Sequence, residues 1–236
     1  MRSCGSTEHL SGRTLYHSGQ TSDLLAVIRE CKRLSHLPLF LAGYSLGGNV
    51  VLNLAGELGA GACDLIAGVI AVSAPIELAA GVEALERREN RLYQARFVER
   101  LKDRVRRKHL QAPDMYTLEH LPKVHTVVDF DNHYTAPLFG FGTAANYFRT
   151  QSSNQFLEHI QTPTLMVHAK DDPLVPFRIY DHPALSRNAN LRMVAVEQGG
   201  HLGFLARHRP RFWLDELTMG WVEEILNKSS AAHVSY

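Results

Sequence analysis

The chain has 236 residues, 45% of them hydrophobic, which suits one principal domain with room for an inserted lid but not two large domains. Its 25 Lys and Arg against 24 Asp and Glu leave no net field that would favour DNA, RNA or acidic membranes. Three widely spaced cysteines, Cys4, Cys31 and Cys63, form no C-x-x-C pair, which argues against a disulfide framework or a zinc cluster and for a reducing compartment.

The opening residues MRSCGSTEHLSG lack the apolar stretch of a signal peptide, and no run of about 18 apolar residues occurs, so a cytoplasmic protein with no integral membrane segment is expected. Thr21 or Ser22 is placed to cap a helix ending near His36, in which Leu24, Leu25, Ile28, Cys31 and Leu34 recur at helical spacing. Leu39 to Ala42 is too short and apolar for a helix and reads as a buried strand. Leu46 to Leu58 reads as a helix stopped by Gly59 and Gly61, and Leu65 to Val72 as a second strand. The pattern resumes with strands at Thr164 to His168 and Leu191 to Val196. It closes on an amphipathic helix through Leu214, Leu217, Trp221 and Ile225, followed by a polar tail over 228–236 that is expected to fray. Such alternation predicts an α/β fold, a mostly parallel sheet flanked by helices.

Residues from about 76 to 162 interrupt the alternation and read as a lid or cap insertion. Within it, Leu92, Phe97, Leu101 and Val105 lie near one face of a basic helix, and its charged face is expected to be solvated, with no nucleic-acid role.

Chemistry-bearing residues cluster where strands end. Gly43-Tyr44-Ser45-Leu46-Gly47-Gly48 turns the first strand into the second helix, the setting of a nucleophile elbow, in which a sharp turn lifts a serine above the sheet. A serine hydroxyl needs a base, and Gly199-Gly200-His201-Leu202-Gly203-Phe204 supplies His201 after the last strand; His125, His168 and His208 lack that setting. The orienting acid is expected on Ala169-Lys170-Asp171-Asp172-Pro173. Asp172 is chosen as that acid, with Asp171 serving the loop. The order Ser45, Asp172, His201 is that of the α/β-hydrolase fold. The backbone N–H of Leu46, next to the nucleophile, is the expected oxyanion donor. Asp129, Asp131 and His133 alternate as metal ligands do, but no supporting pair accompanies them, so a structural role and no metal or other cofactor is expected. Gly140-Phe141-Gly142 lacks the phosphate-binding fingerprint.

The chain resembles the YheT-like family of predicted α/β-hydrolases and its eukaryotic abhydrolase-domain relatives. The resemblance rests on RSCG at residues 2–5, Tyr16-His17-Ser18-Gly19 with Asp23, GYSLGGN, and DFDNHYTAPLFGF from Asp129. It extends through Ala145, Tyr147 and Ser152, HAKDDPLVP from His168, and GGHLGF from Gly199. It implies Ser45, Asp172 and His201 as the triad, and carboxylic esters with medium or longer acyl chains as substrates. Some relatives are acyltransferases or phospholipases, and a non-catalytic lipid- or partner-binding remnant is the contrasting reading. Ser3 stands where the family usually has glycine. Only 44 residues precede Ser45, so the resemblance implies an N-terminal truncation. An exposed sheet edge open to oligomerisation or aggregation would follow.

Overall fold

The computed structural model describes residues 15–207 and 209–234; the RSCG segment, including Cys4, and His208 lie outside the described residues. In chain order the elements begin with α1 (Ser22–Leu34), β1 (Phe40–Tyr44), α2 (Leu46–Leu58) and β2 (Gly68–Val72). Next come α3 (Leu78–Leu85), α4 (Arg91–His109), α5 (Val127–Phe130), a π turn (Asp131–Thr135), α6 (Ala136–Leu138) and α7 (Ala144–Gln151). The last are β3 (Thr164–Ala169), α8 (Ala184–Arg187), β4 (Leu191–Val196) and α9 (Trp213–Val234). The described residues divide into two compact units, one of residues 15–17 with 77–151, the other of residues 18–76 with 152–207 and 209–234.

The second unit holds the sheet. Its strands are parallel in the order β1-β2-β3-β4, with Tyr44 opposite Val72 and Val167 opposite Val194. β2 and β3 are buried at every residue, as continuous apolar runs covered on both faces require. β1 lies at one end of the order, without a strand on its outer edge among the described residues. On one side Ile70, Val72, Leu165, Val167 and Ala169 pack with Phe204, Leu214 and Trp221. Gly68 belongs to this contact, since a Cβ there would stand 2.7 Å from the Trp221 ring and 2.9 Å from that of Phe40. Such a close approach admits no side chain.

Several boundaries differ from the sequence expectation. β1 begins one residue later and runs through Gly43 and Tyr44, while β2 begins only at Gly68 because Leu65 and Ile66 turn back onto the Ala62 carbonyl. Thr21 does not cap α1: its backbone is helical, and its hydroxyl donates to Glu57 at 2.7 Å instead. Along α1 only Ile28 is buried, with Cys31 and Leu34 exposed. α9 continues to Val234, so the expected polar tail is helical to that residue, aided by the Lys228–Glu224 pair one turn apart.

In the first unit, Leu15, Val98, Val105, Tyr116, Phe130 and Tyr134 form a core of their own, and the Tyr116 hydroxyl accepts the Leu15 N–H at 3.0 Å. The inward face of α4 is therefore Val98, Leu101, Val105 and the buried Lys108. Leu92 and Phe97, expected on it, are 77% and 54% exposed. Phe97→Ser is accordingly expected to change the unfolding free energy by less than about 0.5 kcal/mol. Val105→Ala should lower it by about 1–3 kcal/mol through lost burial and a residual cavity. Urea melts of both variants check this, and a costlier Phe97 substitution would return Phe97 to the core.

Candidate active site

Three strand ends of the sheet bring the sequence-expected residues together. Ser45 follows β1 in the left-handed region at φ 51°, an uncommon conformation for a residue with a side chain. Its N–H bonds the Val72 carbonyl at 2.8 Å and its own carbonyl accepts from Gly48 and Asn49, so neighbouring strand and helix hold the turn. Gly43 and Gly48 are required by space, though Gly47 is not: a Cβ on Gly43 would lie 2.2 Å from the Gly47 carbonyl oxygen, and one on Gly48 would lie 2.7 Å from the Ala74 methyl. Ser45 precedes α2 yet makes no side-chain cap. Its hydroxyl instead lies 2.8 Å from His201 Nε2, and His201 Nδ1 lies 2.8 Å from Asp172 Oδ2. A carboxylate only accepts, so it fixes the proton on Nδ1 and leaves the Nε2 lone pair to the serine hydroxyl.

The loops that carry Asp172 and His201 are fixed by separate means. Asp172, its side chain fully buried, accepts from the N–H groups of Leu174 and Val175 at Oδ1, at 2.8 and 3.1 Å. Asp171 is turned away and accepts from Gly199 and Gly200 at 2.9 and 2.8 Å, tying its loop to the one that carries His201. Gly199 packs where a Cβ would stand 2.8 Å from the Phe204 ring, and Phe204 N–H closes the turn on the Gly199 carbonyl at 3.0 Å. Leu46 is the first residue of α2, so its N–H has no carbonyl four residues back within the helix and sits at the positive end of the helix dipole.

Two residues escaped the sequence reading. Asn49, fully buried on α2, donates to the Ser18 carbonyl at 2.9 Å and accepts from the Ser153 N–H at 2.9 Å, tying α2 to two distant segments. His168 on β3, set aside from sequence, lies with Nδ1 4.0 Å from Asp172 Oδ2. Its spacing of four residues before Asp172 was the available signal.

Among the described residues no group of three or more His, Cys, Asp or Glu side chains is placed to hold a metal ion. Asp129 instead closes a capping box with Thr126. Burial works to raise its pKa, but the N–H groups of His125 and Thr126 and the Thr126 hydroxyl outweigh it and hold it below its ordinary value. His133 stacks on His120, ring centroids 4.8 Å apart. Gly140 and Gly142 take φ 77° and 75° in a turn whose Phe141 carbonyl accepts from Asn146.

Burial pushes the Asp131 carboxyl up to about 7, against an opposing bond to Thr135. The folded protein then holds this proton more tightly than the unfolded chain, so Asp131 costs stability as pH rises from about 4 through about 7. Asp131→Asn is expected to stabilise the fold by about 1–3 kcal/mol at pH 8, with the gain fading towards pH 4. Denaturant melts at pH 4, 6 and 8 check this; a gain independent of pH would contradict the assignment.

A protein-family model described as the alpha/beta hydrolase family matches residues 1–215. The chain is 33% identical over 222 residues to the putative esterase YheT of Escherichia coli, covering 92% of this chain and 64% of that protein. It is 30% identical over 213 residues to a monoacylglycerol lipase of Saccharomyces cerevisiae, covering 86% of this chain and 46% of that one. It thus spans roughly half to two thirds of the length of these relatives. A solved acylaminoacyl peptidase from Pyrococcus horikoshii shares the fold with TM-score 0.56 at 16% identity, over 93% of this chain and 30% of that one. One family model accounts for nearly all of the sequence, including Ser45, Asp172 and His201 in that order: the chain belongs to the alpha/beta hydrolase family and is similar across most of its length to YheT-like members of it.

Proposed function

We propose that the chain hydrolyses carboxylic esters with medium or longer acyl chains, using Ser45 as nucleophile, His201 as base and acid, and Asp172 as the orienting carboxylate. The observation that carries this reading is the unbroken relay from Ser45 Oγ through His201 to Asp172, each step 2.8 Å. Ser45 Oγ attacks the ester carbonyl as its proton passes to His201 Nε2, and the carbonyl oxygen gains charge facing the Leu46 N–H. Collapse breaks the bond to the alkoxy oxygen, which takes the proton from Nε2 and leaves as the alcohol. Water, deprotonated by the same nitrogen, then releases the acid and restores Ser45. These steps require no metal or cofactor.

Relatives named esterase and monoacylglycerol lipase support an acyl ester substrate, and the medium or longer acyl chain is what the YheT-like resemblance implies. The insertion between β2 and β3, about residues 76–162, is assigned a lid role from its place in the chain. Among the described residues no helix is long and apolar enough to cross a membrane, and the proposed site of action is the cytoplasm. The test is labelling with a fluorophosphonate followed by hydrolysis of p-nitrophenyl esters of graded chain length. Labelling at Ser45 with turnover that rises from acetate to octanoate is expected. A folded chain that resists the probe would be a binding protein, and product formed only with an added alcohol would make it an acyltransferase.

A further inference from the structure

His168 has no part in the steps above, yet it is fully buried beside the residue that orients the base. Its Nε2 lies 3.0 Å from the Val175 carbonyl oxygen, which only accepts, so Nε2 carries the proton and donates. In a neutral ring Nδ1 is then a bare lone pair. It faces Asp172 Oδ2 at 4.0 Å and has no hydrogen-bond partner. The ring packs against both Phe177 and Tyr180, at centroid distances of 6.0 and 4.5 Å, these two rings also touching each other at 6.1 Å, and the Tyr180 hydroxyl donates to the Ala74 carbonyl beyond β2 at 2.6 Å.

Val175 joins these contacts to the acid: its N–H is one of the two that bind Asp172 Oδ1, while its carbonyl takes the His168 proton. Loop 172–175 is thereby fixed at both polar groups of one residue. The charged and titratable groups around the imidazole are Asp172 and, turned away from it, Asp171 on the loop after β3, His201 from the loop after β4, and Tyr180 against its ring. Burial lowers the pKa of His168, outweighing the attraction of Asp172. A protonated ring would present an Nδ1–H to the carboxylate oxygen that His201 uses.

We propose that His168 is a positioning residue for the triad acid: it closes loop 172–175 around Asp172 through Val175, and with Nδ1 unprotonated it leaves Oδ2 to His201 alone. The proposal rests on the reading of Ser45, His201 and Asp172 as the triad. The test uses the full chain, with active sites titrated by a fluorophosphonate so that rates are counted per folded site, and p-nitrophenyl octanoate as substrate. His168→Leu is expected to lower kcat per titrated site by about tenfold or more while KM stays within about twofold, because only the geometry of the base is disturbed. His168→Gln, whose amide can still donate to Val175, should recover most of the loss. If His168→Leu does not fold, His168→Phe keeps a ring packed against Phe177 and Tyr180 without a donor and carries the same expectation. A wild-type chain labelled at Ser45 whose Leu or Phe variant keeps kcat within twofold overturns the positioning role alone. An unlabelled wild-type chain overturns the triad reading and the proposal together.

Discussion

Ser45→Ala and His201→Ala are each expected to lower ester turnover by about a thousandfold or more, with the folded protein intact. The two losses should be nearly equal, because a serine without its base and a base without its serine both leave only binding and the Leu46 N–H to assist water. The backbone supplies an independent check at Ser45. A residue with a Cβ held at φ 51° stores on the order of 1–3 kcal/mol of strain. Ser45→Gly should therefore be as inactive as Ser45→Ala yet more stable than the wild type, since glycine enters that region without steric cost. Kinetics with p-nitrophenyl esters and urea melts of the three variants test both parts. Substantial residual turnover in Ser45→Ala would remove the nucleophile from the mechanism, and an unstable Ser45→Gly would show that the turn is not strained.

The parts of the molecule legible in the sequence are those decided by local physics. The bounds of α2 and β4, and the turn at Ser45, follow from a short apolar run, a glycine cluster and helical spacing within a few residues. α4 shows where such reasoning stops. Of the residues expected on its inward face, Leu101 and Val105 do pack inward, and the side they share with Val98 also holds Lys108, a residue whose burial no hydropathy pattern signals. Leu92 and Phe97 are as apolar as the residues that pack inward, and only the neighbours packed against the helix decide which apolar side chains are covered. Thr21 fails for a related reason: Glu57, 36 residues away, offers its hydroxyl a carboxylate, which outcompetes a local cap. The relation of His168 to Asp172 arises from the folded course of one loop, and a lone histidine in an apolar strand gives little hint of it.

Asp172→Asn is expected to cost about a thousandfold to ten-thousandfold in kcat, and Asp171→Asn less than about tenfold, although the two residues are adjacent. At position 172 the Leu174 and Val175 N–H groups demand an acceptor at Oδ1, so the asparagine oxygen must occupy that place and its NH2 must face His201. An NH2 can only donate there. His201 Nδ1 would then have to accept, which moves the ring proton to Nε2 and removes the lone pair that takes the serine proton. The substitution also leaves the imidazolium formed during attack without a counter-charge in a half-buried setting. At position 171 the same change preserves what the structure uses, since an asparagine oxygen still accepts from Gly199 and Gly200, and only the charge on those two bonds is lost. Rates per titrated site for the two variants, measured beside the wild type across pH 6 to 9, decide the matter. Equal losses would mean that the link between the acid and base loops matters as much as the tautomer of His201, and Asp172 could no longer be singled out as the orienting carboxylate.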